Sequence, residues 1–368
     1  MNKRPFILAF YLPQYFPFKE NDEWWGKGFT EWTSVGRAKP LFKGHYQPKV
    51  PADLSYYDLR VPETREAQAA LAREYGIDGF CYWHYWFGNG KRLMCRVEDE
   101  VTASGKPDFP YCYCWANHTW FAKNWNVKDA KKGHRILIEQ QYPGKEDYIA
   151  HFNLCLSAFK DHRYIKEGNK PVFAIYDAAS IPDLDVFIKT WNELARANGF
   201  DGIYFISYNM NVGKYEKVKD APFDAFVVDP MNKAEKPVGS LGKLWRRVLS
   251  HFDMEALMTL RLIKYSDYAK AVVKYFEDNP QAGICVLPNY DHSPRSGKNA
   301  IILTDSTPDA FGRLLLSIKS LLDKRESNNK YLFIKAWNEW GEGNYLEPDL
   351  IYGRGYLEQV KNVFGVKK

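Results

Sequence analysis

The sequence predicts an α/β fold, a (β/α)₈ barrel of eight parallel strands with a long aromatic-rich loop after the first. Three observations lead there. Eight short, β-rich apolar runs recur along the chain, helical periodicity fills most of the intervals, and no glycine-rich phosphate turn follows the first run. Apolar runs without polar alternation fit strands buried on both faces, as in parallel sheets. Eight such units fit a closed barrel, whereas an open doubly wound sheet would carry the glycine-rich turn.

The runs are PFILAFY (5–11), IDGFCYW (77–83), PYCYCWA (110–116), KPVFAIYD (170–177), DGIYFISYN (201–209), FDAFVVD (223–229), AGICVLPN (282–289) and KYLFIKAWNE (330–339). Helical patterns cover Glu63–Tyr75, Glu146–Phe159, Val186–Asn198, Met254–Phe276 and Pro308–Lys324, and a last helix should follow Arg354. No internal repeat, low-complexity stretch or linker interrupts the series, so residues 1–368 are expected to form one barrel domain. The surplus over the roughly 250 residues of an ordinary barrel falls in loops. The largest is residues 12–62, which holds Trp24, Trp25, Phe29, Trp32 and Tyr46. So many aromatics point to a lid with its own small core, to direct substrate contact, or to both.

In a barrel of this kind the strand C-termini and the loops after them converge on one face, where active sites sit. Those positions here are Tyr11, Gln14, Trp83, His84, Tyr85, Trp115, Asn117, His118, Tyr176, Asp177, Tyr208, Asp229, Trp337, Asn338, Glu339, Trp340 and Glu342. Aromatics, 16% of the chain, are interleaved there with amides, carboxylates and imidazoles. Flat rings stack on sugar faces and polar groups take hydroxyls, so the mixture suggests a carbohydrate site. His84 and His118 could equally be hydrogen-bonded core histidines, and Asp177 and Asp229 could be helix caps.

Glu339 and Glu342 stand in KAWNEWGEGNYLEPDL (335–350). On a continuing strand, positions three apart face opposite ways. A turn at Gly341 would bring the two carboxyls together at the barrel mouth. Trp337 and Trp340 would then remove solvent and raise a neighbouring carboxyl's pKa. A carboxyl pair flanking a bond is the equipment of glycoside cleavage. The alternatives are solvated surface charges or a metal site, but oxygen ligands at loop spacing are too few for the latter. Neither a metal nor a cofactor is expected.

Formal net charge is +6 and basic residues form no stripe, so no nucleic-acid partner is expected. The densest basic runs, Lys128–Arg135 and Trp245–Ser250, read as solvated faces. None of the six cysteines forms a CxxC pair, and Cys112 and Cys114 would face the same side of a strand. Reduced buried thiols, no signal-peptide pattern and no apolar stretch near about 20 residues predict a soluble, cytoplasmic protein.

The stretches AFYLPQYFPFKENDEWWGKGFTEW, HYQPKVPADLSYYDLR, GIDGFCYWHYWFGNGKRL, WANHTW and AWNEWGEGNYLEPD together resemble the WbsX-type family of bacterial polysaccharide-locus proteins. That family is itself similar to glycoside hydrolase family 99, the endo-α-mannosidases and endo-α-mannanases. The resemblance runs from residue 6 to about 356 and implies a barrel with a retaining mechanism on α-linked sugars. It implies that Glu339 takes the proton of the sugar 2-hydroxyl, which attacks the anomeric carbon to give a 1,2-anhydro sugar. It implies that Glu342 protonates the leaving oxygen and later activates water. The chain departs at Gly341, where the mannosidases commonly have a bulkier His, and in its first loop.

Three functions follow as rivals: a glycoside hydrolase or transglycosidase acting on α-linked bacterial polysaccharide or oligosaccharide, a glycosyltransferase of cell-surface polysaccharide biosynthesis, and a non-catalytic carbohydrate-binding barrel. The one DxD-like string, Asp183 and Asp185, follows Pro182 and reads as charge at a helix start rather than a metal bridge for a nucleotide sugar.

Overall fold

The structure is a computed structural model that describes residues 4–122, 135–209, 211–235, 248, 260–325 and 331–365. Eight parallel strands close a barrel: β1 (Phe6–Tyr11), β2 (Gly79–His84), β3 (Tyr111–Trp115), β4 (Lys170–Ile175), β5 (Tyr204–Asn209), β6 (Ala225–Val228), β7 (Gly283–Val286) and β8 (Tyr331–Ile334). Neighbours in sequence are neighbours in space, with Leu8 opposite Gly79 and Tyr113 opposite Phe173. Pairing of β8 with β1, Tyr331 opposite Phe6, shuts the ring and leaves no edge.

The barrel is filled rather than hollow. Phe10 of β1 stacks on Trp83 of β2 with centroids 4.5 Å apart, and it meets Tyr208 at 4.7 Å and Phe333 at 5.4 Å. Cys112 and Cys114 share a side, as expected of alternate strand residues. Both lie against Cys81, and all six cysteines are free thiols.

Around the strands run α3 (Pro62–Glu74), α4 (Arg96–Ser104), α5 (Lys145–Lys160), α6 (Leu184–Ala197), α7 (Val212–Val218), α8 (Tyr265–Asp278), α9 (Pro308–Lys324) and α10 (Gly355–Phe364). Helix α9 starts where Thr307 accepts a hydrogen bond from the Ala310 amide at 3.2 Å, with Pro308 in the first turn. It buries Phe311, Leu314, Leu315 and Ile318, the three-and-four spacing of a core-facing stripe. Trp191 of α6 is fully buried between helix and barrel, 4.6 Å from Phe173 and 4.8 Å from Phe187.

Two expectations need correction. Helical periodicity from Met254 to Phe276 ran through a strand: Arg261–Lys264 pairs in parallel with Ile301–Thr304, and the helix begins only at Tyr265. Residues 254–259 lie outside the described residues, as do most of the two basic runs. The eighth strand stops at Ile334, and Asn338–Glu339 instead pairs antiparallel with Asn344–Tyr345 above the rim.

The long first loop contains α1 (Lys19–Trp25) and α2 (Glu31–Arg37) and returns along the rim as a strap. Thr30 and Thr33 cap α2 reciprocally. Trp32 ties the strap together, its ring 4.6 Å from Tyr15 and 5.7 Å from Trp340 and its N–H donating to the Tyr57 carbonyl at 2.8 Å. Two backbone bonds, Ala52 N–H to Pro348 O and Leu350 N–H to Val50 O, fasten its return to the segment after β8. Among the described residues, no helix is long and apolar enough to cross a membrane.

Trp191→Ala should cost about 3–5 kcal/mol in a denaturant titration, because it removes a fully buried ring and leaves a void. A loss below about 1 kcal/mol would mean that the α6 layer is not packed as described.

Candidate active site

A cavity of about 340 Å³ opens at the C-terminal rim, between the strap and the ends of β1, β2, β3, β4 and β8. Trp83, Tyr85 and Tyr176 form its aromatic wall, Gln14, His118, Glu339 and Glu342 its polar side, and the strap adds Asn21, Trp25 and Glu31. The strap thus both packs on itself and lines the cavity.

Glu339 and Glu342 lie together on this wall, brought there by a turn centred on Gly341. Residues Trp340–Glu342 make one 3₁₀ turn, and the left-handed residue that ends it is Gly343, at φ +52°. A methyl group on Gly343 would fall 2.8 Å from the Asp291 carbonyl. Asn338 anchors the segment to β1 by accepting from Leu12 N–H at 2.7 Å and donating to Leu12 O at 3.1 Å. Tyr15 from the strap hydroxyl-bonds both the Asn338 carbonyl and the Trp340 amide.

The two carboxyls have unequal surroundings. Glu339 is buried and accepts the indole N–H of Trp83 at 2.7 Å. Glu342 receives Arg295 Nη1 at 2.5 Å and Lys335 Nζ at 3.4 Å, with His292 Nε2 at 3.8 Å. Burial, then the charge of Glu342, pushes Glu339 up to about 7 despite Lys335 and Arg295. Burial would raise Glu342 too, but Lys335, Arg295 and His292 outweigh it and hold that carboxyl well below the usual range. A hydrogen bond from Glu339 lowers it further. The surroundings thus favour the ionised form of Glu342 and the protonated form of Glu339. The resemblance implies a protonated Glu342, whereas that carboxyl sits here in an ion-pair cluster rather than an apolar pocket.

The other expected residues divide by position. Tyr11 points into the layer behind the barrel wall and donates to Gln68 Oε1 at 2.7 Å. His84 is likewise in an outer layer: Nδ1 meets Glu98 at 2.8 Å and Nε2 meets His151 Nε2 at 2.9 Å. Cys155 completes a buried group of metal-ligating type there. The two imidazole planes lie 13° apart, and the Nε2–Nε2 contact is an N–H···N hydrogen bond.

Trp115 donates to the Trp86 carbonyl at 2.8 Å, and Tyr208 packs beneath Trp83 and Tyr176. Trp337 packs on Phe80 at 5.1 Å, and Trp340 stacks on Tyr345 at 3.8 Å. Their ring area is used for packing and does not wall the carboxyls. Asn117 pins the backbone of Asp177 in both directions, and Asp177 itself pairs with Lys214 at 2.5 Å. Asp229 accepts from the Met231 amide, and burial raises its carboxyl to about 6. Asn338 is the backbone clamp already described. Glu347, third carboxylate of the quoted stretch, also lies away from the cavity, accepting from Trp340 Nε1, Gln68 and Tyr57.

Residues the sequence reading missed are cations and strap residues. Lys335 directly follows β8, so the strand-end rule could have found it. Arg295, His292, Asn21 and Glu31 carried no signal, since only the fold brings a short helical turn (Ser293–Ser296) and the strap to the same rim. Asp183 and Asp185 start α6, where Asp183 takes the Tyr148 hydroxyl, and neither lines the cavity.

The strap also holds Asp291, whose amide donates to the Glu342 carbonyl at 2.8 Å. His45 Nε2 and Gln47 Nε2 contact Asp291 Oδ2 at 2.8 and 2.6 Å. Burial would raise this carboxyl, but the His45 hydrogen bond and Lys49 outweigh it and hold it at about 2. Its folded value lies below the unfolded value of roughly 3.9. The resulting stability is complete above that value and is lost as pH falls through the folded one. Denaturant titrations should therefore show stability dropping between about pH 4 and pH 2, with a shallower drop in Asp291→Asn. An identical slope in the variant would contradict the assignment.

The family described as Glycosyltransferase WbsX matches residues 7–360. The protein WxcX of Xanthomonas campestris pv. campestris is 35% identical over 358 residues, 96% of this chain and 49% of its own. The chain thus spans about half the length of the curated relatives it matches. Among solved structures, a glycoside hydrolase-like protein superposes with a TM-score of 0.60 at 15% identity, over 100% of this chain and 95% of that one. The family 99 endo-α-mannosidase of Bacteroides thetaiotaomicron gives 0.50 at 14% identity, covering 97% and 96%. At such identities the likeness is one of fold. With the family match running almost end to end, the chain belongs to the WbsX family.

Proposed function

We propose that the protein is a retaining glycoside hydrolase or transglycosidase acting on α-linked bacterial polysaccharide or oligosaccharide, with Glu339 and Glu342 as its catalytic pair. The observation that carries this reading is a buried carboxyl pair on an aromatic-walled cavity, with Arg295 and Lys335 on Glu342 and burial favouring the protonated form of Glu339. That division supplies an acid and a base at once. A carbohydrate-binding barrel without chemistry would gain nothing from burying it.

The electrostatics support one division of roles. Ionised Glu342 takes the proton of the sugar 2-hydroxyl as that oxygen bonds to the anomeric carbon, and Glu339 gives its proton to the departing oxygen. Water then attacks the anomeric carbon and loses a proton to Glu339, while Glu342 returns its proton to the 2-oxygen. Two inversions leave the configuration retained. If a sugar hydroxyl replaces water the product is a longer glycan, which accommodates the family's transferase description. The site offers a nucleotide-sugar transferase less, since Asp183 and Asp185 lie at a helix start away from the cavity.

The first test is turnover of α-linked manno- and rhamno-oligosaccharides, with product anomericity followed by NMR; retention is expected, and inversion would exclude the two-step route. With a sugar leaving group, Glu339→Gln should lose about 10²–10⁴-fold in rate, and much less with an activated aryl leaving group. Glu342→Gln should lose equally on both. The opposite pattern would return the acid role to Glu342, and full activity in either variant would exclude the pair mechanism. The rate should also fall as pH rises through about 7, where Glu339 gives up its proton.

A further inference from the structure

We propose that Glu31, carried to the rim by the strap, is a positioning residue that fixes Arg295 against Glu342, and that Gly341 is the residue whose missing side chain admits it. The proposal rests on the carboxyl-pair reading for its catalytic meaning but not for its geometry.

Glu31 opens α2 and is fully buried. Its two oxygens face Arg295, with Nη2 to Oε1 at 2.8 Å and Nε to Oε2 at 3.2 Å. The guanidinium's remaining arm, Nη1, reaches Glu342 at 2.5 Å. A planar fork gripped on two nitrogens has a fixed direction for the third. Arg295 therefore arrives at Glu342 already oriented, and the orientation comes from the strap.

Gly341 explains how the carboxylate fits. A methyl group there would stand 1.8 Å from Glu31 Oε2 and 3.0 Å from Arg295 Nε. Its backbone is not left-handed, so the glycine is required for space and not for the turn. The departure from the mannosidase pattern at this position thus has a physical partner in the strap. The strap holds Glu342 at a second point as well, since His45 and Gln47 grip Asp291, whose amide bonds the Glu342 carbonyl. The acid/base pair is incomplete without residues 12–62.

A consequence concerns the charge balance. The groups facing the pair are Lys335 and Glu342 itself from the β8 segment, Arg295 and His292 from the turn after β7, Tyr290 before it, Tyr85 and Tyr176 from the β2 and β4 loops, Asp229 after β6, and Glu31 from α2. Neutralising Glu31 removes one of the carboxylates that Arg295 pairs with among the described residues. Ionised forms of the pair are then favoured, and Glu339 should release its proton at lower pH.

The experiment combines two activity-free readouts with kinetics on Glu31→Gln, Glu31→Ala, Gly341→Ala and the Glu31→Ala/Gly341→Ala double variant. In thermal unfolding, Gly341→Ala should lower Tm by several degrees with Glu31 present and change it little once Glu31 is Ala. Additive effects would overturn the packing claim. In ¹³C-carboxyl NMR, with Glu339 and Glu342 assigned from their Gln variants, Glu31→Gln should move the Glu339 titration to lower pH; an unmoved titration would overturn the positioning role. If an oligosaccharide of the panel is turned over, Glu31→Ala should lose about 10–100-fold in kcat with KM nearly constant, and Glu31→Gln, which keeps an acceptor for Arg295, should recover part of it. A rise in KM alone would make Glu31 a substrate contact. Failure of every oligosaccharide to react would count against the proposed function, and the first two readouts would still decide this inference.

Discussion

Two cations converge on one carboxylate at the mouth of this barrel, and its neighbour three residues away accepts an indole N–H. That asymmetry organises the site. Burying two carboxyls side by side is costly, because each charge disfavours the other and solvent is absent. The cost falls when one carboxyl is paired and ionised and the other keeps its proton. Arg295 and Lys335 select Glu342 for the first state, and Glu339 is left with the second.

Holding the asymmetry requires a rigid rim, and buried polar side chains tie much of it together, although Asn344 Oδ1, Trp337 Nε1 and both amide atoms of Asn21 have no partner among the described residues. Asn344 donates to the carbonyls of Asn289 and Lys335, Asn289 donates to the Tyr345 carbonyl at 3.2 Å, and Tyr345 donates to Asp349 at 2.6 Å. Glu347 gathers Trp340, Tyr57 and Gln68, so it joins the segment after β8, the strap and α3. Replacing any one partner would strand another in a dry interior at about 1–3 kcal/mol. Such a network favours preorganisation: donors and charges at the rim are fixed by the fold.

The barrel was legible because its signal is local. Each parallel strand is a short apolar run, and burial on both faces makes that run visible without any knowledge of its neighbours. The reading failed at Arg261–Lys264, where a strand outside the barrel has one exposed face and merged with the helix after it. At the site, the strand-end rule found Trp83, Tyr85, His118, Tyr176, Glu339 and Glu342 on the cavity wall. It could not tell inward from outward within one strand end, so His84 and Trp115 were drawn in from the outer layer. Arg295 and Glu31 were out of reach for a different reason. They stand 264 positions apart in sequence and meet only because the strap folds back over the rim. Charge pairing across such distances leaves no periodicity to detect. Gly341 was noticed as a departure, but its cause lay in a carboxylate from the other end of the chain.

The account turns on where one proton sits. A neutron diffraction structure of the deuterium-exchanged protein, from crystals held just below pH 7, would locate it directly. Deuterium on a Glu339 oxygen, aimed at a bare Glu342 carboxylate between Arg295 and Lys335, is the predicted result. Deuterium on Glu342 with Glu339 bare, or two bare carboxylates, would contradict it.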